Sequence, residues 1–328
     1  MSEARFDVVA IGNAMVDVIV HADDALLREH NMTKGAMTLI DADRAEALYS
    51  VMPPAIEMSG GSAGNTIAGV ASIGGRGAYI GKVGEDQLGA VFRHDIRAIG
   101  VAYDVPSATE QPTGRCLIFV TPDAQRTMNT YLGAGALLGP ADVDDDLIAA
   151  SEITYLEGYL WDPPDAKSAF LRAAEAAHGA RRKVALTLSD AFCVDRHRES
   201  FLDLVEHHVD ILFANETEIL SLYQVERFDD ALQRVRGHCE VTALTRSEKG
   251  SVVVAGEELH VIDAARVGPV VDTTGAGDLY AAAFLYPLAS GRDLATCGRM
   301  GSIAAAEVIS HVGARPERRL AHLMDEML

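Results

Sequence analysis

Val270-Val271-Asp272-Thr273-Thr274-Gly275-Ala276-Gly277-Asp278 runs directly into LYAAAFLYPLASG. The two valines read as a short strand end, the small residues as a turn and the apolar run as a helix, which together make one unit of an α/β fold. Gly275, Ala276 and Gly277 are too small to keep an anion from the backbone. At a helix N-terminus the unpaired N–H groups and the dipole favour negative charge, so the turn suits a phosphoryl group in transfer. Asp278 stands at its mouth, where it can accept the proton of an attacking hydroxyl. A free aspartate has a pKa of about 3.9, so its main work is to orient the hydroxyl and take the proton late. A lone GAGD has a plainer reading, an N-cap aspartate after a glycine turn, and the flanking residues decide between the two.

Outward from this stretch, short apolar runs alternate with amphipathic segments. FDVVAIG, GAYIGKVG, EITYLEG, KVALTLS, VDILFANE and EVTALTR read as strands, most of them apolar enough to be buried on both faces. Helical patterns cover Asn65 to Ile73, Gln87 to Ile99, Asp165 to Ala177, Glu199 to His207 and Asp278 to Ala289. The alternation predicts an α/β fold with a mostly parallel sheet flanked by helices. Asp17 to Ile40 and Pro112 to Leu132 break the rhythm with alternating, β-branched patterns, and they predict antiparallel strands in a small second sheet. The expected division is a large α/β domain of residues 1–12, 41–110 and 136–328, with a β-sheet lid of residues 13–40 and 111–135, the whole forming one unit. A lid excludes water from reactive phosphates.

The 328 residues carry 28 Lys and Arg against 48 Asp and Glu, a formal charge of −20. That charge repels nucleic acid and anionic membranes, so neither is an expected partner. The longest apolar stretches fall short of a membrane span. MSEARFDVVA lacks a secretory leader pattern. Cys116, Cys193, Cys239 and Cys297 are far apart and form no CxxC pair, which fits free thiols in a reducing cytoplasm.

Three elements in order carry a resemblance that covers nearly the whole chain. DTTGAGD resembles the signature of the ribokinase (PfkB) family of carbohydrate and nucleoside kinases. Gly60-Gly61-Ser62-Ala63-Gly64-Asn65 is similar to a family element that helps hold the substrate. Asn215-Glu216-Thr217-Glu218 resembles the family's NxxE element. The resemblance implies an ATP-dependent phosphotransferase with a ribokinase-like fold. It implies that Asn215 and Glu218 organise Mg²⁺ and phosphates, mostly through water. Within the family, GNAMVD, QPTGRC, LSDAF and VDILFANETE resemble the adenosine-kinase branch. That likeness implies Asn13 and Asp17 facing the nucleoside, with the two oxygens of Asp17 on two ribose hydroxyls. Gly61, Ser62 and Asn65 complete the ribose side, Phe192 stacks on the base, and Arg126 neutralises phosphate charge. Asp272 and Thr274 match residues that bind potassium, with partners near Val308 and Gly313. The implied reaction moves the γ-phosphate of ATP to the 5′-hydroxyl of adenosine or another purine nucleoside. A ribose- or fructose-type sugar kinase is the alternative, a non-catalytic nucleoside-binding protein a remote one, and the chain is a monomer or homodimer.

Some positions depart from the family pattern. In Thr245-Arg246-Ser247-Glu248-Lys249-Gly250, the nucleotide loop, Thr245 and Gly250 keep their places but Ser247 replaces a glycine. Tyr159-Leu160-Trp161 replaces a more Phe-rich stretch of some adenosine kinases. Pro287 is expected to kink or end its helix. Gly60 to Gly64 also spells GxSxG, the nucleophile elbow of serine hydrolases. No GxGxxG dinucleotide fingerprint and no GxxxxGK[ST] P-loop occurs.

Overall fold

Val8, Val9, Ala10 and Ile11 are all fully buried, as a strand covered on both faces requires. In the computed structural model, which describes residues 4–123 and 125–328, this strand lies inside a long sheet. Thirteen strands are assigned among the described residues: β1 (Phe6–Ile11), β2 (Met15–His21), β3 (Met37–Leu39), β4 (Ile56–Gly60), β5 (Gly77–Ile80), β6 (Gly114–Val120), β7 (Arg126–Tyr131), β8 (Ser151–Glu157), β9 (Lys183–Thr187), β10 (Ile211–Asn215), β11 (Val241–Thr245), β12 (Ser251–Ala255) and β13 (Glu258–Ile262). The large sheet has the order β13-β12-β11-β10-β9-β8-β1-β5. Its pairings are parallel from β5 to β11 and antiparallel across β11-β12-β13. β1, β8, β10 and β11 therefore end at the same edge of the sheet, where α/β folds place their ligands.

The small sheet has the order β3-β7-β6-β2-β4. It differs from the sequence expectation in two ways. Two of its four pairings, β2 with β6 and β3 with β7, are parallel, because helices Asp24–Glu29 and Ala42–Val51 lie within the crossing connections. It also takes in β4, which pairs antiparallel with β2 from outside the two irregular stretches. Alternation along β2 divides its side chains: Val16, Val18 and Val20 join the main core, while Met15 and Ile19 belong to a separate cluster with Cys116, Ile118 and Val120. Asp17 lies between Met15 and Ile19 on that second face and opposite Cys116 in register.

Two helices carry most of the site. Ser62–Ile73 and Ala276–Ala289 pack on each other and on β1. Their close approach depends on Gly69, where a Cβ would stand 2.6 Å from the Ala282 Cβ. Helix Ala276–Ala289 is buried from Leu279 through Leu285 and again at Pro287. Pro287 neither ends nor interrupts it, since the helix continues to Ala289; so near the C-terminus the proline costs little of the ladder. The segment before this helix is not a strand: Val270 and Val271 pair with neither sheet and are 68% and 40% exposed. All four cysteines are free and buried. No helix among the described residues is long and apolar enough to cross a membrane.

Candidate active site

Gly275 enters helix Ala276–Ala289 with φ +78, the left-handed conformation that favours glycine. A Cβ there would stand 2.7 Å from the Ala314 carbonyl oxygen, so both backbone shape and space exclude a side chain. Around Gly277 a Cβ would meet nothing within 4 Å, which leaves the helix N-terminus open to an incoming anion. One turn in, Asp278 is held at both oxygens: Ser62 Oγ donates to Oδ1 at 2.6 Å and Asn65 Nδ2 to Oδ2 at 3.0 Å. Burial raises its pKa, and the two hydrogen bonds pull it back. The three sequence elements GGSAGN, GAG and Asp278 thus meet at one point. Ser62 gives its proton to a carboxylate and not to an imidazole, so the GxSxG pattern is not a nucleophile elbow here.

Behind Ser62 lies a second carboxylate that the sequence reading did not single out. Glu157 ends β8 and is buried. Its Oε1 accepts from Asn13 Nδ2 at 2.8 Å and from Asn13 N at 3.3 Å, and its Oε2 from Ala63 N at 2.8 Å. Burial pushes the Glu157 carboxyl up to about 7 in spite of these bonds. Glu157 fixes the Asn13 amide with its NH₂ inward, so Asn13 Oδ1 is a buried acceptor without a hydrogen-bond partner among the described residues. The close fit explains two glycines: a Cβ on Gly12 would overlap Glu157 Oε2, and one on Gly61, at φ +87, would overlap the Asn13 carbonyl. The local signal for Glu157 was an acid closing the apolar run EITYLE.

From the small sheet come Asp17 and Arg126. Burial pushes the Asp17 carboxyl up to about 6 against the pull of Arg315 and Arg126, and the nearby Asp278 adds to the rise. A Cβ on Gly60 would overlap the Asp17 carboxylate, so β4 must present glycine there. Arg126 Nη1 donates to Thr274 Oγ1 at 2.6 Å, and its Nη2 lies 2.6 Å from Asp272 Oδ2. Arg126 therefore reaches from the small sheet to the loop before helix Ala276–Ala289. Asp272 also accepts from Thr274 N and from Gly313 N, at 3.1 and 2.9 Å, and its own N–H points to the Ile309 carbonyl. Ile309 and Gly313 are thus neighbours of Asp272, and its charge is met by Arg126.

On the other side of the helix terminus, Asn215 and Glu218 form a reciprocal cap on helix Glu216–Tyr223. Asn215 Oδ1 accepts from Glu218 N at 2.9 Å, and the Glu218 carboxylate accepts from Asn215 N and Nδ2 at 2.9 and 2.5 Å. Glu218 is buried and pushed up to about 7, by burial and by the negative charges of Asp190 and Asp278. Among the described residues no three His, Cys, Asp or Glu side chains group closely enough to hold an ion directly. Asp190 lies in the LSDAF stretch, where the sequence reading assigned it no role; it caps helix Ala191–His207. Thr245 ends β11 in register with Asn215. Ser247 takes φ +50, so the loop keeps a glycine-like conformation without the glycine. A Cβ on Gly250, at φ +80, would overlap the Ile262 carbonyl. Phe192 lies in the first turn after Asp190, 62% exposed, with the Arg196 guanidinium 4.5 Å from its ring centroid.

The sequence signature of the pfkB family of carbohydrate kinases matches residues 28–319. Adenosine kinase of Sinorhizobium meliloti superposes with a TM-score of 0.93, at 55% identity, over 99% of this chain and 100% of that one. A probable sugar kinase of Rhizobium etli does so with the same TM-score at 53% identity, over 98% of each chain. Adenosine kinase of Saccharomyces cerevisiae is 26% identical over 344 aligned positions, 96% of this chain and 98% of that protein.

Proposed function

The chain belongs to the pfkB family of carbohydrate kinases, phosphotransferases that act on hydroxyl groups, and from that premise we propose that its acceptor is the 5′-hydroxyl of a purine nucleoside, with adenosine first. The observation that carries this reading is the second face of the small sheet. There a single carboxylate, Asp17, sits among Met15, Ile19, Cys116 and Met58, a flat apolar wall with one bidentate acceptor. A nucleoside has both matching parts, an apolar base and a vicinal diol. A free sugar offers only the small C–H patches of its ring to such a wall.

In this reading Asp17 binds the ribose diol, and Gly61 and Asn65 close the ribose side. The 5′-hydroxyl then points at Asp278. Ser62 and Asn65 hold the Asp278 carboxylate in place, so that it orients the hydroxyl and receives its proton as the new P–O bond forms. The N–H groups of Gly275 to Gly277 stabilise the charge that builds on the phosphoryl oxygens. ATP supplies the γ-phosphoryl group, and Mg²⁺ bound with it supplies charge neutralisation. Asn215 and Glu218 would hold the ion through water, while Thr245 and Gly250 lie along the nucleotide loop. Arg126, which already joins the small sheet to the loop of Asp272 and Thr274, exchanges those bonds for phosphate oxygens when ATP binds. Four unpaired thiols fit work in a reducing cytoplasm.

ATP consumption with adenosine, inosine, guanosine, ribose and fructose tests the reading. Adenosine should give the highest kcat/KM. Turnover of ribose or fructose with all three nucleosides inert would overturn it.

A further inference from the structure

Arg315 takes no part in the reaction as described so far. It follows Ala314, whose backbone packs on Gly275, so the anion hole fixes where this side chain begins. The guanidinium runs over the first turn of helix Ser62–Ile73. Nη2 is 3.8 Å from where a Cβ on Gly64 would stand, and Nε is 3.5 Å from Asn65 Oδ1, the outer limit of a hydrogen bond. Nη2 is buried and has no hydrogen-bond partner among the described residues. A charged donor removed from water without a partner is costly, and the cost is relieved only by an acceptor that arrives with a ligand.

Asp17 supplies the complementary half. Its carboxylate stands against Gly60, and the Arg315 guanidinium against Gly64 and Asn65 of the same turn, yet among the described residues no hydrogen bond and no ion pair within 4.0 Å joins the two. Asp95 also draws on Arg315, but its Oδ2 accepts from Ser59 N at 3.3 Å. Asp17 can only accept and Arg315 can only donate. One group satisfies both at once if it donates one hydrogen bond and accepts another. A hydroxyl does so; a carbonyl, an ether oxygen or an ammonium group does not.

We propose that Asp17 and Arg315 bracket one hydroxyl of the ribose diol, Asp17 accepting its hydrogen and Arg315 donating to its oxygen, and that this bracket selects ribonucleosides over the matching deoxynucleoside. The proposal rests on the nucleoside reading above. Without the hydroxyl, a buried carboxylate and a buried guanidinium both lack a partner, and sites of that kind reject the deoxy analogue steeply. Arg315 is thus a specificity-determining residue that touches substrate at the sugar.

The test is kcat/KM for adenosine, 2′-deoxyadenosine and 3′-deoxyadenosine with the wild type, Arg315→Ala and Arg315→Lys, together with the Tm of each protein. The wild type should prefer adenosine over one of the two deoxynucleosides by roughly 10³-fold or more. Arg315→Ala should lose roughly 10- to 100-fold on adenosine, as for a hydrogen bond to a charged group, and keep its rate on that deoxynucleoside. The preference then shrinks by the same factor, and Arg315→Lys restores part of it. A folding defect lowers all three substrates together and leaves the ratio alone, so an unchanged ratio in Arg315→Ala overturns the proposal. A wild type inert on adenosine overturns the nucleoside reading instead. The same ratio, taken between the sugar it does phosphorylate and that sugar's deoxy analogues, then still decides on Arg315.

Discussion

The two sheets deliver their functional groups in different ways. The large sheet brings Asn13, Glu157, Asn215 and Thr245 to one edge, and its carboxylates are tied to backbone N–H groups: Glu157 to Asn13 and Ala63, Glu218 to Asn215. The small sheet brings Asp17 and Arg126 on a face of methionine, isoleucine and cysteine, and it meets charge across elements, Arg126 in an ion pair with Asp272 and Asp17 on the same turn as Arg315 without a bond to it. Backbone-held groups keep their geometry through a reaction cycle, whereas side-chain ion pairs can be exchanged for ligand atoms. The difference separates a fixed half of the site from an exchangeable half.

The largest effect should come from the fixed half. Asp278→Asn keeps the shape and removes the base, so kcat should fall about 10³-fold with nucleoside affinity nearly unchanged; near-normal turnover in a steady-state assay would show that the helix terminus alone does the chemistry. Next, Gly61→Ala forces a Cβ into the Asn13 carbonyl at a positive φ. Unfolding in urea should show a loss of about 3 kcal/mol, the sum of strain and overlap, and an unaffected stability would mean that the β4 turn does not press on β1 as described.

The exchangeable half should show itself through pH. Burial pushes the Asp17 carboxyl up to about 6, above its ordinary 3.8. A raised carboxyl favours the fold when protonated, so its stabilising contribution is complete below the unfolded pKa and is lost as pH rises through about 6. Asp17→Asn is neutral throughout. It should therefore be more stable than the wild type at pH 8, by about 2–3 kcal/mol, and the gap should close as pH falls toward 4. A gap independent of pH would place the burial cost of the small sheet elsewhere. The smallest effect concerns Ser247, held at φ +50. Ser247→Gly relieves that conformation but adds freedom to the unfolded chain, for a net gain of about 0.5 kcal/mol in the same urea experiment.

Legibility in the sequence follows the same division. The parallel strands are readable because each lacks a polar face, and the GAG helix because its turn residues admit few alternatives. The segment before it misleads: Val270 and Val271 have strand composition, but no partner strand lies beside them. β4 is hard to read because Ile56–Gly60 is short, and its place depends on pairing with β2, about forty residues earlier in the chain. Asp278 lies more than 200 positions from Ser62 and Asn65, and only the family motifs pointed to their meeting. Glu157 had a local signal in its acid-after-apolar position. Arg315 had none, because what marks it is an orphaned donor that exists only once Gly64, Asn65 and Asp17 surround it.

The four buried thiols offer a view of motion that no substrate is needed to obtain. Each is pushed up to about 12, chiefly by burial, so the native protein should be nearly silent toward a thiol-alkylating reagent. Cys116 lies in β6, opposite Asp17, while Cys193, Cys239 and Cys297 lie outside the small sheet. The order in which the sulfurs become labelled is therefore a clock with two hands. If the small sheet swings away from the rest, Cys116 should be marked first and the other three together, later, as the main core opens.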